Sequence, residues 1–219
     1  MTIREGLGPA LPRRLAGAAW DAAARLRRDR GGSAAVEFGL VVIPFIALLF
    51  AILQTALVIF TGQVLDTALQ DTARLIMTGQ AKTMDAATFA TGANGLCSRI
   101  TALFNCTAAY NSGALQIDVL ASTDFPSAVP PIPTVSGDAI SWGTAAGWGA
   151  PSGHASGKPL YSNPGTNQVV IVRAAYLEPI YMSFPVKFMG TNMDPGLKTS
   201  GSSTSRLILS TVAFRNEPF

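Results

Sequence analysis

The sequence predicts an α+β protein in which one long N-terminal helix crosses a membrane, continues as an amphipathic helix and packs on a small antiparallel sheet. Three observations carry that prediction. No charged side chain occurs from Phe38 to Leu65. The apolar residues that follow recur at helical spacing as far as Ile76. Three later segments are rich in alternating, β-branched or aromatic residues, the pattern of strands.

The densest apolar part, Phe38 to Phe60, is interrupted by Pro44, Gln54 and Thr55 among strongly polar or helix-breaking residues. As a helix it extends about 35 Å at ~1.5 Å per residue, enough to cross a hydrocarbon core of ~30 Å with a little tilt. A secretory signal has an apolar region of only ~7 to 15 residues, so this stretch is too long for one. The rest of the chain is also too short to bury it as the core helix of a soluble protein. The overall composition agrees: 48% hydrophobic and 13% charged residues in 219, with a mean hydropathy of +0.32, fit one membrane segment plus one modest domain.

The formal charge of +3 belongs to the leader. Residues 1–30 hold seven arginines against three acids, whereas residues 38–219 balance nine basic against nine acidic groups. A basic tail of this kind does not point to nucleic acid. It orients a span instead, because Arg and Lys next to a membrane helix stay on the cytoplasmic side. Arg25, Arg27, Arg28 and Arg30 precede the span closely, and Thr61 to Leu65 follow it without charge. The expected topology places the N-terminus in the cytoplasm and the bulk of the chain outside.

In "TGQVLDTALQDTARLIMTGQ" the positions Val64, Leu65, Ala68, Leu69, Leu75 and Ile76 form one apolar face. The membrane helix therefore continues to about Thr78, where Gly79 can end it, giving one helix of ~45 residues. A second helix is expected from Asp85 to about Phe104, with Phe89, Leu96, Ile100 and Phe104 on its apolar face and Gly92 and Gly95 inside it. Strands are expected at "ALQIDVLA" (114–121), "NQVVIVRAAYLE" (167–178) and "SRLILSTVAFR" (205–215). The first two are separated by about 45 residues in which Pro126, Pro130, Pro131 and Pro133 are followed by seven glycines from Gly137 to Gly165, and which contain Trp142 and Trp148. A connection of that length is expected to be either disordered or a presented surface. The apolar stretch "EPIYMSFPVKFMG" reads as a core-packing loop or as a contact with lipid or a partner at the membrane surface.

The two cysteines, Cys97 and Cys106, fall on the side predicted to be oxidising and are nine residues apart, which suits a disulfide closing a short loop. A metal pair would need further ligands, and the single histidine, His154, lies in a glycine-rich stretch. Catalytic patterns are likewise lacking. "GHASGKP" has Ser152 in place of the first glycine of a phosphate loop and Pro159 in place of the required Ser or Thr. There is no G-x-S-x-G and no close set of acids. Neither an enzyme, a cofactor nor a small-molecule substrate is expected.

One junction remains. In "RRDRGGSAAVEFGLVVIPF", Gly32 is followed by Ser33-Ala34-Ala35-Val36 and then by Glu37 and Phe38, directly after the arginine-rich leader and directly before the span. This arrangement resembles the processing site of type IV prepilins, and the chain is most similar to the TadE-like pseudopilins of the tight-adherence (Tad/Flp, type IVb) pilus systems. Pro44 within the span, the long helix after it and the terminal "AFRNEPF" belong to the same resemblance. Phe38 stands where Flp pilins usually carry tyrosine, which favours a TadE-like chain over the major pilin, as does the length.

The resemblance implies a pilin-like version of the fold and an inner-membrane, periplasm-facing minor component of pilus assembly. It implies a leader at 1–32 cut by a prepilin peptidase between Gly32 and Ser33, a transmembrane helix at 33–65 and a periplasmic domain at 66–219. The implied partners are that peptidase, other pilins and pseudopilins, the assembly platform and membrane lipid. Small residues around Gly32 let the segment extend into a peptidase cleft. Cleavage leaves a positive amine on Ser33, with Glu37 in the first helical turn, where the helix dipole offsets part of the cost of a carboxylate near lipid. The Ser33 amine of the same or a neighbouring subunit can meet the rest. A glutamate that faces headgroups is the other reading of Glu37, and an uncleaved, signal-anchored protein whose outer domain binds a ligand or envelope component is the other reading of the chain.

Overall fold

The computed structural model describes residues 32–100, 103–126, 128–136, 139–145, 147–148, 157–180, 197–200 and 203–217. Two compact units divide the chain, residues 1–49 and residues 50–219.

Helix α1 runs from Ser33 to Met77, 45 residues with Pro44 inside it. Within the first unit its side chains stand in the open, with Phe38 69% and Leu40 72% exposed. The exposed apolar run carries on into the second unit through Phe50, Leu53 and Leu57 to Phe60. At Thr61 the pattern changes. Thr61, Leu65, Ala68, Leu69, Thr72, Ala73 and Ile76 are buried at steps of three and four residues, while Asp66, Gln70, Asp71 and Arg74 stay outside. Thr72 lies in this buried face without strain because its hydroxyl donates to Ala68 O at 2.7 Å. The helix ends where the sequence indicates. Gly79 adopts φ +76°, and its N–H donates to Ile76 O at 3.1 Å.

The expected second helix is instead three short ones: α2 Ala86–Thr91, α3 Leu96–Arg99 and α4 Cys106–Asn111. Gly92 and Gly95 cause the first break. The chain folds back so tightly there that a Cβ on Gly92 would sit 2.4 Å from Thr88 O and one on Gly95 2.7 Å from Phe89 O. Asp85 caps α2 by accepting the Thr88 N–H at 2.8 Å; hydrogen bonding from the Thr88 hydroxyl and then from its N–H holds the Asp85 carboxyl below the usual range, and Asn105 caps α4 through the Ala108 N–H at 3.0 Å. The apolar residues still turn inward, since Phe89, Leu96 and Ile100 are buried and Phe104 is half-buried.

Strands β1 (Leu115–Ser122), β4 (Val169–Pro179) and β6 (Ser203–Arg215) match the three expected segments to within two residues at each end. Three further strands were not foreseen: β2 (Thr134–Ser136), β3 (Ala139–Ser141) and β5 (Leu197–Ser200). The main sheet is antiparallel in the order β1-β4-β6-β5, with β4 in register against β1 from Leu115↔Tyr176 to Ser122↔Val169 and against β6 from Val169↔Arg215 to Pro179↔Ser205. β2 and β3 form a separate ribbon.

Alternation along β1 and β4 divides the sheet into two apolar faces. Ile117, Val119, Val170, Val172, Ala174 and Tyr176 join Leu65, Leu69, Ile76, Phe89 and Leu96 in the principal core, so the second half of α1 and the short helices cover one face. The other face is covered by the long connection. Leu120 and Val169 pack on Ala145 and Trp148, and Ala175 and Leu177 pack on Ile140 and Trp142. The glycine- and proline-rich segment is therefore neither disordered nor a displayed surface at its tryptophans, which are only 2% and 4% exposed.

One buried ion pair fastens that layer. The Arg173 guanidinium donates to Asp118 Oδ2 from Nε at 3.0 Å and from Nη2 at 2.6 Å, and its Nη1 donates to Pro131 O at 2.7 Å. Asp118 Oδ1 accepts the Leu160 N–H at 2.8 Å. Trp142 lies 4.8 Å over the guanidinium and donates from Nε1 to Gln116 Oε1 at 2.7 Å. Two strands and two points of the connection thus meet on one charge pair, and a buried pair broken by removal of one partner costs ~3 to 5 kcal/mol. Asp118→Ala should lose about that much stability in denaturant unfolding of the full chain followed by tryptophan fluorescence. The double change Asp118→Leu with Arg173→Met should lose markedly less, because no charge is stranded. A loss below ~1 kcal/mol for the single variant would show that the pair does not fasten the layer.

Candidate functional site

The junction singled out by sequence lies at the start of α1. Gly32 is exposed immediately before the helix, and among the described residues a Cβ placed on it would meet no atom within 4 Å. Ser33 begins the helix, so the N–H groups of its first turn have no partner within the helix. Glu37 is exposed, and Phe38 beside it is 69% exposed.

Glu37 was expected in the first turn, but that turn holds no acidic residue. With the helix starting at Ser33, Glu37 opens the second turn, and the dipole contribution there is smaller. Its relation to Ser33 is then the i, i+4 pair of one helix face, with the side chain tilted back toward the N-terminus. A carboxylate at 37 is thereby positioned to meet a charge carried on the backbone nitrogen of residue 33. Among the described residues no ion pair involves Glu37.

This geometry coincides with a family resemblance of defined extent. Residues 32–74 match the model of the TadE-like protein family. The TadE-like segment starts on Gly32, takes in Ser33, Glu37 and Phe38 and the whole exposed apolar run, and stops three residues short of the end of α1. The likeness is confined to this segment and covers less than half of the chain. No curated protein and no solved structure matches the chain.

The other residues singled out by sequence lie in the second unit. Cys97 in α3 and Cys106 at the start of α4 are joined by a disulfide, and both are buried. The bond closes the segment that presents Phe104, whose ring stacks on Tyr176 of β4 with centroids 4.1 Å apart and an interplanar angle of 10°. The covalent link thus anchors the short helices beside the sheet they cover. His154 and residues 181–189 of "EPIYMSFPVKFMG" lie outside the described residues, and Ile180 is half-buried.

Sequence reasoning passed over Asp118 and Arg173, which organise this unit. The signal was present: "LQIDVLA" and "VVIVRAA" each carry a single charge in an otherwise apolar run, and the two charges are opposite. The disulfide closes a loop of nine-residue separation, for which loop entropy gives about 2 to 3 kcal/mol. Replacing both cysteines with serine should cost about that amount in denaturant unfolding. In the unaltered chain, alkylation under denaturing, non-reducing conditions followed by mass spectrometry should label neither thiol.

Proposed function

We propose that the chain is a TadE-like minor pilin or pseudopilin of a Tad/Flp pilus assembly system. A prepilin peptidase cuts after Gly32, and the mature chain is held in the inner membrane by α1 with its remaining residues in the periplasm. There it meets other pilins and pseudopilins and the assembly platform, and supports formation of an adhesive pilus. The observation that carries this reading is the coincidence of three boundaries: the TadE-like match begins at Gly32, α1 begins at Ser33, and the exposed apolar run begins within the next turn. The helix supplies 44 residues, Ala34–Met77, that include a segment long and apolar enough to cross a membrane.

The residues suit the steps. Gly32 offers a peptidase a bond without side-chain bulk. The amine released on Ser33 lies on the face of α1 that Glu37 shares, so the two charges neutralise each other within one subunit or across two. In a medium of low dielectric that pairing is favoured over either charge alone, and it fixes the axial position of one helix against the next.

The mature protein should begin at Ser33 when its N-terminal peptide is read by mass spectrometry from cells with an active prepilin peptidase. Gly32→Leu should accumulate precursor with the arginine leader attached and abolish incorporation. Glu37→Gln should still be cleaved yet enter the assembly roughly tenfold less well, the effect of losing one poorly screened contact. An intact leader on the wild-type protein would reject the pilin reading in favour of an uncleaved signal anchor. Normal incorporation of Glu37→Gln would reject the pairing alone.

A further inference from the structure

Beyond α1, large apolar side chains are exposed in a single stretch. Among the described residues, Phe125, Val129 and Ile132 are 79%, 88% and 74% exposed, and every other exposed large apolar side chain lies between Val36 and Phe60. All three belong to the proline-rich residues 124–133 that follow β1. Exposed apolar side chains grouped in this way mark a contact surface.

The prolines set the backbone of this stretch. Proline fixes φ near −65°, and a residue that precedes proline is pushed to extended backbone. From Val129 to Pro133 every residue is one or the other, and none of them belongs to a helix, strand or turn. The outcome is a polyproline II segment, with three residues per turn and a rise of ~3.1 Å per residue. Its contacts follow that period. Ala128 O accepts the Trp148 Nε1–H at 2.7 Å, and three residues on, Pro131 O accepts from Arg173 Nη1 at 2.7 Å. Val129 and Ile132, also three apart, stand outward. The rings of Pro126 and Pro131 rest on glycine backbone: a Cβ on Gly147 would lie 3.1 Å from Pro126 Cβ, and one on Gly143 2.6 Å from Pro131 Cγ. One side of the stretch is thus clamped to the domain, and the other is held out as a stiff apolar ridge.

We infer that this ridge docks into another protein, in a groove lined by aromatic side chains with a cation at one end. The aromatic lining follows from shape. A polyproline II ridge has its backbone preformed, so little ordering entropy is lost on binding, and flat rings fit against its prolines and the side chains between them. Pro130-Pro131-Ile132-Pro133 places a proline at both ends of four residues, the spacing such grooves accept. The cation follows from charge. Asp124 is exposed beside Phe125 and is the sole charged residue from Ser122 to Ser136, so a Lys or Arg at that end of the groove complements it.

A lipid surface does not suit the ridge. β1 and β6 are both antiparallel to β4 and so share a direction. Gly62 adjoins Ile208, Gln70 to Met77 adjoin Thr211 to Phe214, and the Glu217 N–H reaches Met77 O at 3.4 Å, so α1 runs that way too. Ser122, where the stretch leaves β1, therefore lies at the end of the sheet away from Phe50 to Phe60. The first charge beyond it is the carboxylate of Asp124, which anionic headgroups repel.

The inference does not depend on whether the leader is cut. It is tested on the full chain in the cells that naturally make it, with a benzophenone amino acid at Thr123 or at Thr134, both exposed and flanking the ridge. Under light both labels should join to one other protein, at residues beside Phe, Tyr or Trp when the adducts are mapped by mass spectrometry. Their yield should exceed about tenfold that of the same label at Gln80, which is exposed outside the ridge. Val129→Ser with Ile132→Ser should lower the yield about tenfold while the emission of Trp142 and Trp148 stays unchanged. Asp124→Asn should lower it about threefold. Adducts with lipid or with a second copy of this chain, a yield no higher than at Gln80, or a partner site without aromatic side chains would overturn the inference. An unchanged yield in the double-serine variant would overturn it as well, and an unchanged yield for Asp124→Asn would overturn the cation.

Discussion

A single helix carries two different surfaces. From Val36 to Phe60 the large apolar side chains of α1 are exposed, and from Thr61 to Ile76 an apolar face of the same helix is buried against a sheet. The sequence makes the change within one turn. Phe60 is the last fully apolar exposed position, Thr61 the first buried one, and Gln63 and Asp66 begin the polar side. Everything beyond depends on this switch, since the principal core is assembled around Leu65, Leu69 and Ile76. The sheet can lie along the helix only because that face is narrow and one-sided.

A sheet with a helix on one face and apolar residues on both needs a second cover. Here the cover is the long connection between β1 and β4, and its attachment is polar rather than apolar. A charge pair inside a sheet is costly unless every donor and acceptor is used. All three Arg173 nitrogens are engaged, on Asp118 and Pro131 O, and both Asp118 oxygens are, the second by the Leu160 N–H. The same contacts close the β1 edge.

Local periodicity made much of this legible. The long helix, its end at Gly79 and three of the strands follow from spacings of two and of three to four residues, which depend on nothing distant. The TadE-like junction was legible because the order of leader, glycine, glutamate and span is itself local. The break at Gly92 and Gly95 was not, since Phe89, Leu96 and Ile100 keep a helical spacing across it and only the tertiary fold shows that they bury from separate helices. The layer carrying Trp142 and Trp148 was invisible for a related reason. Arg173 finds Pro131 O across 42 residues and Asp118 across 55, and no window of sequence contains both ends of such contacts. Its glycines and prolines looked like a connection because their partners were elsewhere.

The central proposal is that one unbroken helix passes from lipid into a protein core at Thr61. Single nitroxide labels placed along α1 from Leu40 to Gln70, in the full chain in its native membrane with the disulfide intact, test it through their collision rates with oxygen and with a water-soluble nickel complex. The account predicts oxygen-dominated collisions at all positions up to Phe60, restricted access to both reagents at Leu65 and Leu69, and nickel-dominated collisions at Gln63, Asp66 and Gln70. Nickel access at Leu48, Leu53 or Leu57, or no change in pattern across Thr61, would contradict it.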